Sequence, residues 1–548
     1  MKHVLLTVFL SLAMSASAIR YVNPILPYDY SDPDVCRVGD EYLMTSSSFN
    51  NIPGLQILES KDLVHWQIVD AALPYRVPGY EPGCKVLGNF AWAPSIRVHG
   101  DTLYIYYGDP DRGVYALRAG LKGLSGLKGL NSSNGSSSSK LIVQGSKGLR
   151  FPLKWEEPVL VMAAKGYIDP CPLWDEDGRC YLVHGIAGSR RGVKSVLLMA
   201  ELTSDGLSVK TPSRIIYDGH EENPTCEGPK LYKKDGYYYI FHPAGGVEFG
   251  WQVVQRSKNI YGPYEWKTTL QQGKTDINGP HQGAWVEDTE GGNWFFHFRD
   301  VGVAGRIVYL EPVEWKEGWP IMGSRGEPVS GYEVSGSSSS NGLSGLKSSK
   351  GLNGLSGLKS SKSSKSSKDL SWGNFARRDE FDSTALALDW QWAGGYVNPT
   401  WYYCDSQNSR LRLYSYPEGE ELMENMLLQK IPYAAFTATA RVRFTPNTNP
   451  KLQGKEEAGL IVFGKKSFRL PVSESGKWVY LRLVMDEKQK GQFYIGEDGE
   501  NWTPFGEEFQ AVEGKWIGAQ VGLYCTREDR KINDSGYLDV DWFEVSLP

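Results

Sequence analysis

Asp235-Gly236-Tyr237-Tyr238-Tyr239-Ile240 is a tight turn followed by strand-forming aromatic and β-branched residues, and the chain carries five versions of it. The others are Gly39-Asp40-Glu41-Tyr42-Leu43-Met44, Gly100-Asp101-Thr102-Leu103-Tyr104-Ile105, Asp177-Gly178-Arg179-Cys180-Tyr181-Leu182 and Gly291-Gly292-Asn293-Trp294-Phe295-Phe296. A short Gly/Asp turn between apolar runs reads as the bend of a β-hairpin. Just upstream, each hairpin has a short apolar run that carries near its start a residue suited to sugar chemistry: Asp32, Trp92, Asp169, Glu227 and His281. These marks lie 60, 77, 58 and 54 residues apart, and the longest interval contains a low-complexity insertion. A period near that length predicts the blades of a propeller, whose innermost strands line one channel and gather residues that are distant in sequence.

Outward from the repeats, two tracts built of Gly-Leu-Lys, Gly-Leu-Ser and Ser-Ser-Lys units stand apart, Gly120 to Lys140 and Ser335 to Lys368. Such composition cannot bury enough apolar surface to offset the entropy of ordering, so both are expected to be flexible. The first is an insertion between the second and third blades, at about 119–140; the second is a linker, 335–371. Between residue 19 and residue 334 the expectation is a five-bladed β-propeller. From 372 to 548 the pattern changes to alternating strands such as Phe436 to Val442, Trp478 to Val484, Phe493 to Ile495 and Val521 to Tyr524, which suit a β-sandwich. Helical periodicity is almost absent, and the expected fold class is all-β, a five-bladed propeller followed by a sandwich.

A chain of 548 residues is too long for one ordinary domain. Met1 to Ala18 has a basic start at Lys2, an apolar stretch and a small-residue end, which is the form of a cleavable export signal, so the mature protein is expected to be secreted or periplasmic. No later stretch approaches the roughly 20 apolar residues needed to cross a bilayer, so no membrane insertion is expected. The net charge of -5, with both signs interspersed, offers no basic field for nucleic acid or anionic lipid and leaves a neutral partner such as carbohydrate. Seven cysteines show neither a CxxC pair nor zinc spacing, and the odd count leaves at least one thiol without an intrachain partner.

Three of the five marks are carboxylates: Asp32 before Pro33, Asp169 before Pro170 and Glu227 before Gly228-Pro229. Cleaving a glycosidic bond needs one carboxyl to protonate the leaving oxygen and a second to activate water or attack directly. A third can keep the donor protonated by like-charge repulsion. Asp and Pro also open strands as simple turn residues, but three such pairs on separate repeats favour a constellation. Asp34 is a rival to Asp32, since alternate strand residues share a face.

These motifs resemble glycoside hydrolase family 43, over roughly Tyr21 to Gly323. The resemblance rests on Asn23-Pro24-Ile25-Leu26, Asp32-Pro33, Thr45-Ser46-Ser47-Ser48-Phe49, Pro53-Gly54, Ser60-Lys61-Asp62-Leu63-Val64-His65-Trp66, Trp92-Ala93-Pro94, Asp169-Pro170, Glu227-Gly228-Pro229, His281-Gln282-Gly283 and Gly318-Trp319-Pro320. It implies a five-bladed propeller and inversion of configuration, with Asp32 as general base, Glu227 as general acid and Asp169 as the residue that tunes and orients Glu227. By the same likeness Phe49 and Trp92 are candidate walls of the sugar pocket, Arg306 faces the carboxylates, and His281 contacts a calcium ion or its water shell; no cofactor is required for the chemistry. Asn50, Asn51 and Ile52 depart from the family, which often has bulky aromatics there. The C-terminal region, with Asp379-Glu380-Phe381, Trp390-Gln391-Trp392 and Asp539-Val540-Asp541-Trp542-Phe543, resembles the concanavalin-like sandwich of xylosidase and arabinofuranosidase members, as scaffold or as sugar-binding module. The implied activity is exo-acting release of terminal β-D-xylose or α-L-arabinofuranose from xylan- or arabinoxylan-derived saccharides. Retaining fructan hydrolases share the architecture but typically carry Asn-Asp-Pro-Asn-Gly, where this chain has Ser31-Asp32-Pro33-Asp34-Val35. A non-catalytic glycan-binding propeller is the alternative from another class.

Overall fold

The computed structural model describes residues 20–80, 87–121, 149–333, 378–417, 425–451, 455–528 and 534–548. The expected export signal, the linker and all but the first residues of the expected insertion lie outside the described residues. Five four-stranded antiparallel sheets follow one another along the chain. Their innermost strands are Asp34–Val38, Trp92–His99, Tyr167–Trp174, Lys230–Lys234 and His281–Glu287, which head blades I to V. Each expected hairpin bend joins the first two strands of a blade, with Val38 opposite Glu41, His99 opposite Thr102, Trp174 opposite Cys180, Lys234 opposite Tyr237 and Glu287 opposite Asn293.

The second strand of each blade carries a long buried run because both faces of the sheet are covered there, while outer strands such as Arg214–Asp218 are largely exposed. Five core clusters lie one at each junction: Leu43 and Ile57 against Ile105, Tyr106 against Leu182, Val183 against Ile240, Phe241 against Trp285, and Met44 against Phe296. The last junction includes the N-terminal segment, where Ile25 and Leu26 pack beside Val308 and the Ile25 amide donates to the Val308 carbonyl at 2.9 Å. Arg20–Val22 also pairs with Gly331–Glu333, so the ring is sealed by a segment outside the blades. Of the expected insertion, Ala119 and Gly120 lie in the strand Gly113–Gly120, paired with Leu103 and Thr102. Backbone pairing holds both residues, and the Ala119 methyl is fully buried.

The C-terminal region is a two-sheet sandwich around Trp390, Trp392, Trp401 and aliphatic residues such as Leu411, Leu460 and Leu523. The strands expected from the sequence appear as Phe436–Thr445, Val479–Met485, Lys490–Gly496 and Gln520–Arg527. The two regions share a sheet: Asn51–Ile52, from a blade I loop, pairs with Gln391–Ala393, Ile52 opposite Trp392. The Asn50 to Ile52 departure from the family pattern is thus used for joining the domains, since the Asn50 carbonyl also accepts the Gly394 and Gly395 amides at 2.9 and 2.8 Å. Regular helix is confined, among the described residues, to Gly188–Arg191 and the 3-10 turn Gly302–Ala304. No described helix is long and apolar enough to cross a membrane.

Candidate active site

Each inner strand begins with one residue in the left-handed region, immediately before a Pro or Gly: Asp32 at φ 55°, Ala93 at 31°, Asp169 at 56°, Gly228 at 58° and Gln282 at 32°. The repeated kink interrupts the ladder beside Trp92, Ile168 and His281. Asp32 and Asp169 occupy the kink itself, while Trp92, Glu227 and His281 stand one residue before it. The five sequence marks therefore form two adjacent layers and not a single ring of equivalent positions.

Asp32 is 4% exposed. Its Oδ2 accepts hydrogen bonds from the Ser31 hydroxyl at 2.9 Å and the Ser47 hydroxyl at 2.5 Å. Ser47 is itself fixed by accepting the Ala93 amide at 2.6 Å. Arg306 donates to the Ser31 hydroxyl at 2.8 Å and holds its Nη1 3.8 Å from Asp32 Oδ1. One carboxylate oxygen is thus saturated by hydroxyl donors, and the other faces only a distant guanidinium. Asp34 is turned away from this arrangement: its Oδ2 accepts Arg97 at 2.6 Å and the Ile96 amide at 2.7 Å, with the carboxylate shut off from solvent. Arg97 also donates to Cys171 Sγ at 3.1 Å, which gives that cysteine a place in the polar layer beneath the carboxylates. Lys230, 1% exposed, belongs to the same layer and donates to the Pro94 carbonyl at 2.6 Å.

Asp169 accepts the Gly228 amide at 2.8 Å, so it grips the residue after Glu227. Gly228 is required there, because a Cβ on this left-handed residue would lie 2.6 Å from Gln282 side-chain carbons. Burial, and then the charge of Glu227, push the Asp169 carboxyl well above the usual carboxylate range, with Asp32 adding in the same sense. Burial alone would raise Glu227 too, but the His281 ring, then Arg306 and Lys194, outweigh it and leave Glu227 below its usual range. His281 Nε2 lies 3.3 Å from Glu227 Oε1, close enough for charge although off hydrogen-bond geometry. Like-charge repulsion, expected to raise Glu227, here raises Asp169, while the imidazole beside Glu227 lowers that residue.

Around the carboxylates, Phe49 is buried and meets the part-exposed Trp92 in a T-shaped contact with centroids 6.4 Å apart. Arg306 lies 4.9 Å over the Phe298 ring. The sequence did not single out Ser31 as more than a flanking residue, nor Ser47, Arg190 or Trp516. Arg190, from the short helix Gly188–Arg191 after the second strand of blade III, sits 5.7 Å over Trp92 and is held by Asp111 at 3.0 Å and Asn89 at 3.0 Å. Trp516 comes from the sandwich, is 50% exposed, and stands 6.4 Å from Trp92. For calcium, His281 offers one imidazole, and among the described residues no three His, Cys, Asp or Glu side chains gather to hold a metal. An ion that takes about 6–8 oxygen ligands would be held beside His281 mainly through water, and no step below passes through one. All six described cysteines are free thiols.

The profile described as "Glycosyl hydrolases family 43" matches residues 21–320. The chain belongs to family 43 of the glycosyl hydrolases. A second profile, "Beta xylosidase C-terminal Concanavalin A-like domain", matches residues 378–470 and 465–546. A putative beta-xylosidase of Xylanibacter ruminicola is 31% identical, over 92% of this chain and 86% of its own length. A non-reducing end alpha-L-arabinofuranosidase of Bacteroides ovatus is 27% identical, over 82% of this chain and 74% of that protein. The crystal structure of a xylan beta-1,4-xylosidase from Bacillus halodurans superposes with a TM-score of 0.73 at 21% identity, covering 96% of this chain and 100% of that one, which bears on the fold. This family 43 chain is a glycoside hydrolase whose carboxylates gather at the channel mouth of a five-bladed propeller.

Proposed function

We propose that the protein is an exported, exo-acting, inverting glycosidase that removes terminal β-D-xylose or α-L-arabinofuranose from xylan- or arabinoxylan-derived saccharides. The observation that carries this is the division of labour among the three carboxylates: Asp32 held by two hydroxyls with one oxygen open, Asp169 gripping the Gly228 amide, and Glu227 the most exposed of the three. Asp32 Oδ1 takes the proton of a water whose oxygen attacks the anomeric carbon, while Glu227 gives its proton to the departing glycosidic oxygen as that bond breaks. Asp169, raised by burial and by the charge of Glu227, titrates together with Glu227 as a pair, and catalysis requires the proton on Glu227. Arg306 orients Asp32 through Ser31, while Phe49 and Trp92 wall the terminal sugar. Relatives named for xylose and for arabinofuranose both align over most of the chain, which supports a pocket that accepts either pentose.

Proton NMR of aryl β-xyloside and aryl α-arabinofuranoside hydrolysis, read before mutarotation, reports sugar and stereochemistry together. The expected first product has the opposite anomeric configuration to the substrate; retention would overturn inversion. A non-catalytic glycan-binding propeller, by contrast, predicts no turnover of either glycoside and undiminished sugar binding in Glu227→Gln.

A further inference from the structure

Asp29 precedes the catalytic loop by three residues and lies where the sandwich meets the propeller. Its Oδ1 accepts the Arg306 amide at 2.9 Å and its Oδ2 accepts the Gly518 amide at 3.0 Å. These two donors belong to different domains, and each begins or ends a segment that reaches the site. Arg306 carries the guanidinium that donates to Ser31 and faces Asp32. Gly518 closes the sandwich loop whose Trp516 stands against Trp92 at the pocket rim. The loop is fixed further by the Ala519 amide donating to the Val303 carbonyl at 2.7 Å, and the Cβ positions of Gly305 and Gly518 leave no room for larger residues between them. Beside Asp29 a small cavity is lined by Ser46, Ser48, Gln391, Lys430 and Ile517 from both domains. Burial raises the Asp29 carboxyl above its usual range, and Lys430, whose ammonium lies 3.6 Å over the Tyr30 ring, opposes that rise with its positive charge, as do the two backbone donors.

We propose that Asp29 is a positioning residue: by accepting one backbone donor from each domain on its two oxygens, it sets the Asp32–Arg306 pair and the Trp516 rim in a single register. The link is specific to a carboxylate. An amide at this position has one accepting oxygen and would aim its own N–H group at the second backbone donor, so Asp29→Asn breaks one arm while preserving shape. A sugar bound in the pocket with its leaving group across the rim then meets a site whose two halves are assembled by this side chain. The proposal rests on the pentosidase reading above for its substrates, but its structural core is read without them.

Amide hydrogen exchange tests that core directly. In the wild-type protein the Gly518 and Arg306 amides are expected to be protected and to exchange together; free exchange of Gly518 overturns the proposal whether or not any variant folds. In Asp29→Asn, exchange across 514–519 should accelerate by about tenfold or more, as for a lost hydrogen bond to a charged acceptor. On xylobiose, Asp29→Asn and Trp516→Ala are each expected to raise KM by about tenfold, and the double variant no further, since both act through one loop. Additive losses, or an unchanged KM with accelerated exchange, overturn the coupling to the site. Absence of turnover by the wild-type protein would instead count against the pentosidase reading and leave the exchange result to decide on Asp29.

Discussion

The three carboxylates differ in how they are held, and that difference is what makes them separable by mutation. Glu227→Gln removes the proton donor but keeps the shape, and is expected to lower kcat on a pentoside with a poor leaving group by about 10²- to 10⁴-fold. Steady-state rates on paired substrates check this, because an activated aryl leaving group needs less protonation and should lose less. Ser47→Ala removes one of the two hydroxyl donors on Asp32 Oδ2 and should cost about tenfold in kcat/KM, with a circular dichroism spectrum like the wild type. Asp32, Asp169 and Glu227 were legible in the sequence because a carboxylate next to Pro or Gly at the head of an apolar run is an unusual pattern, and it recurs. Ser47 and Trp516 were not, since a serine in a run of serines and a tryptophan between glycines acquire meaning only from neighbours hundreds of residues away or across a loop. The direction of the Asp169 and Glu227 shifts was also out of reach, because it depends on which side of Glu227 the His281 ring stands.

At the level of elements, the hairpins were readable because their turns have restricted chemistry, whereas the equivalent buried histidines of the second strands in blades III, IV and V were passed over. His184, His242 and His297 each direct Nδ1 to the carbonyl of the next residue, at 3.0, 3.0 and 3.1 Å, and Nε2 to Ser213, Gln255 and Glu311. Burial pushes His184 and His242 down to about 4. Their unfolded values lie near 6.5, so the unfolded chain binds more protons in between, and stability is present above that pH and lost as pH falls toward 4. Each ring contributes a slope of about 1.4 kcal/mol per pH unit within that window. Urea unfolding of the wild type and His242→Gln between pH 7 and pH 4 should show the variant's dependence shallower by about one proton; equal slopes would exclude the assignment.

For the whole molecule, the ring is closed by the N-terminal segment, which packs and hydrogen-bonds against blade V, and not by a strand exchanged between the first and last blades. Ile25 is fully buried at that closure, and Ile25→Ala is expected to cost about 2–5 kcal/mol in chemical denaturation, more than a truncation at the exposed Val22. The propeller itself followed from the repeat length and the sandwich from its alternating strands. Their union did not, because Asn51–Ile52 is too short for any pattern and its partner lies far along the chain. That borrowed pair of residues has a further outcome. Excised from the propeller, the sandwich would leave Gln391–Ala393 with a bare row of backbone donors and acceptors along a sheet margin, an invitation to a second copy. Size-exclusion chromatography of residues 378–548 should therefore find oligomers, and the catalytic domain serves its companion as a permanent guard against self-recognition.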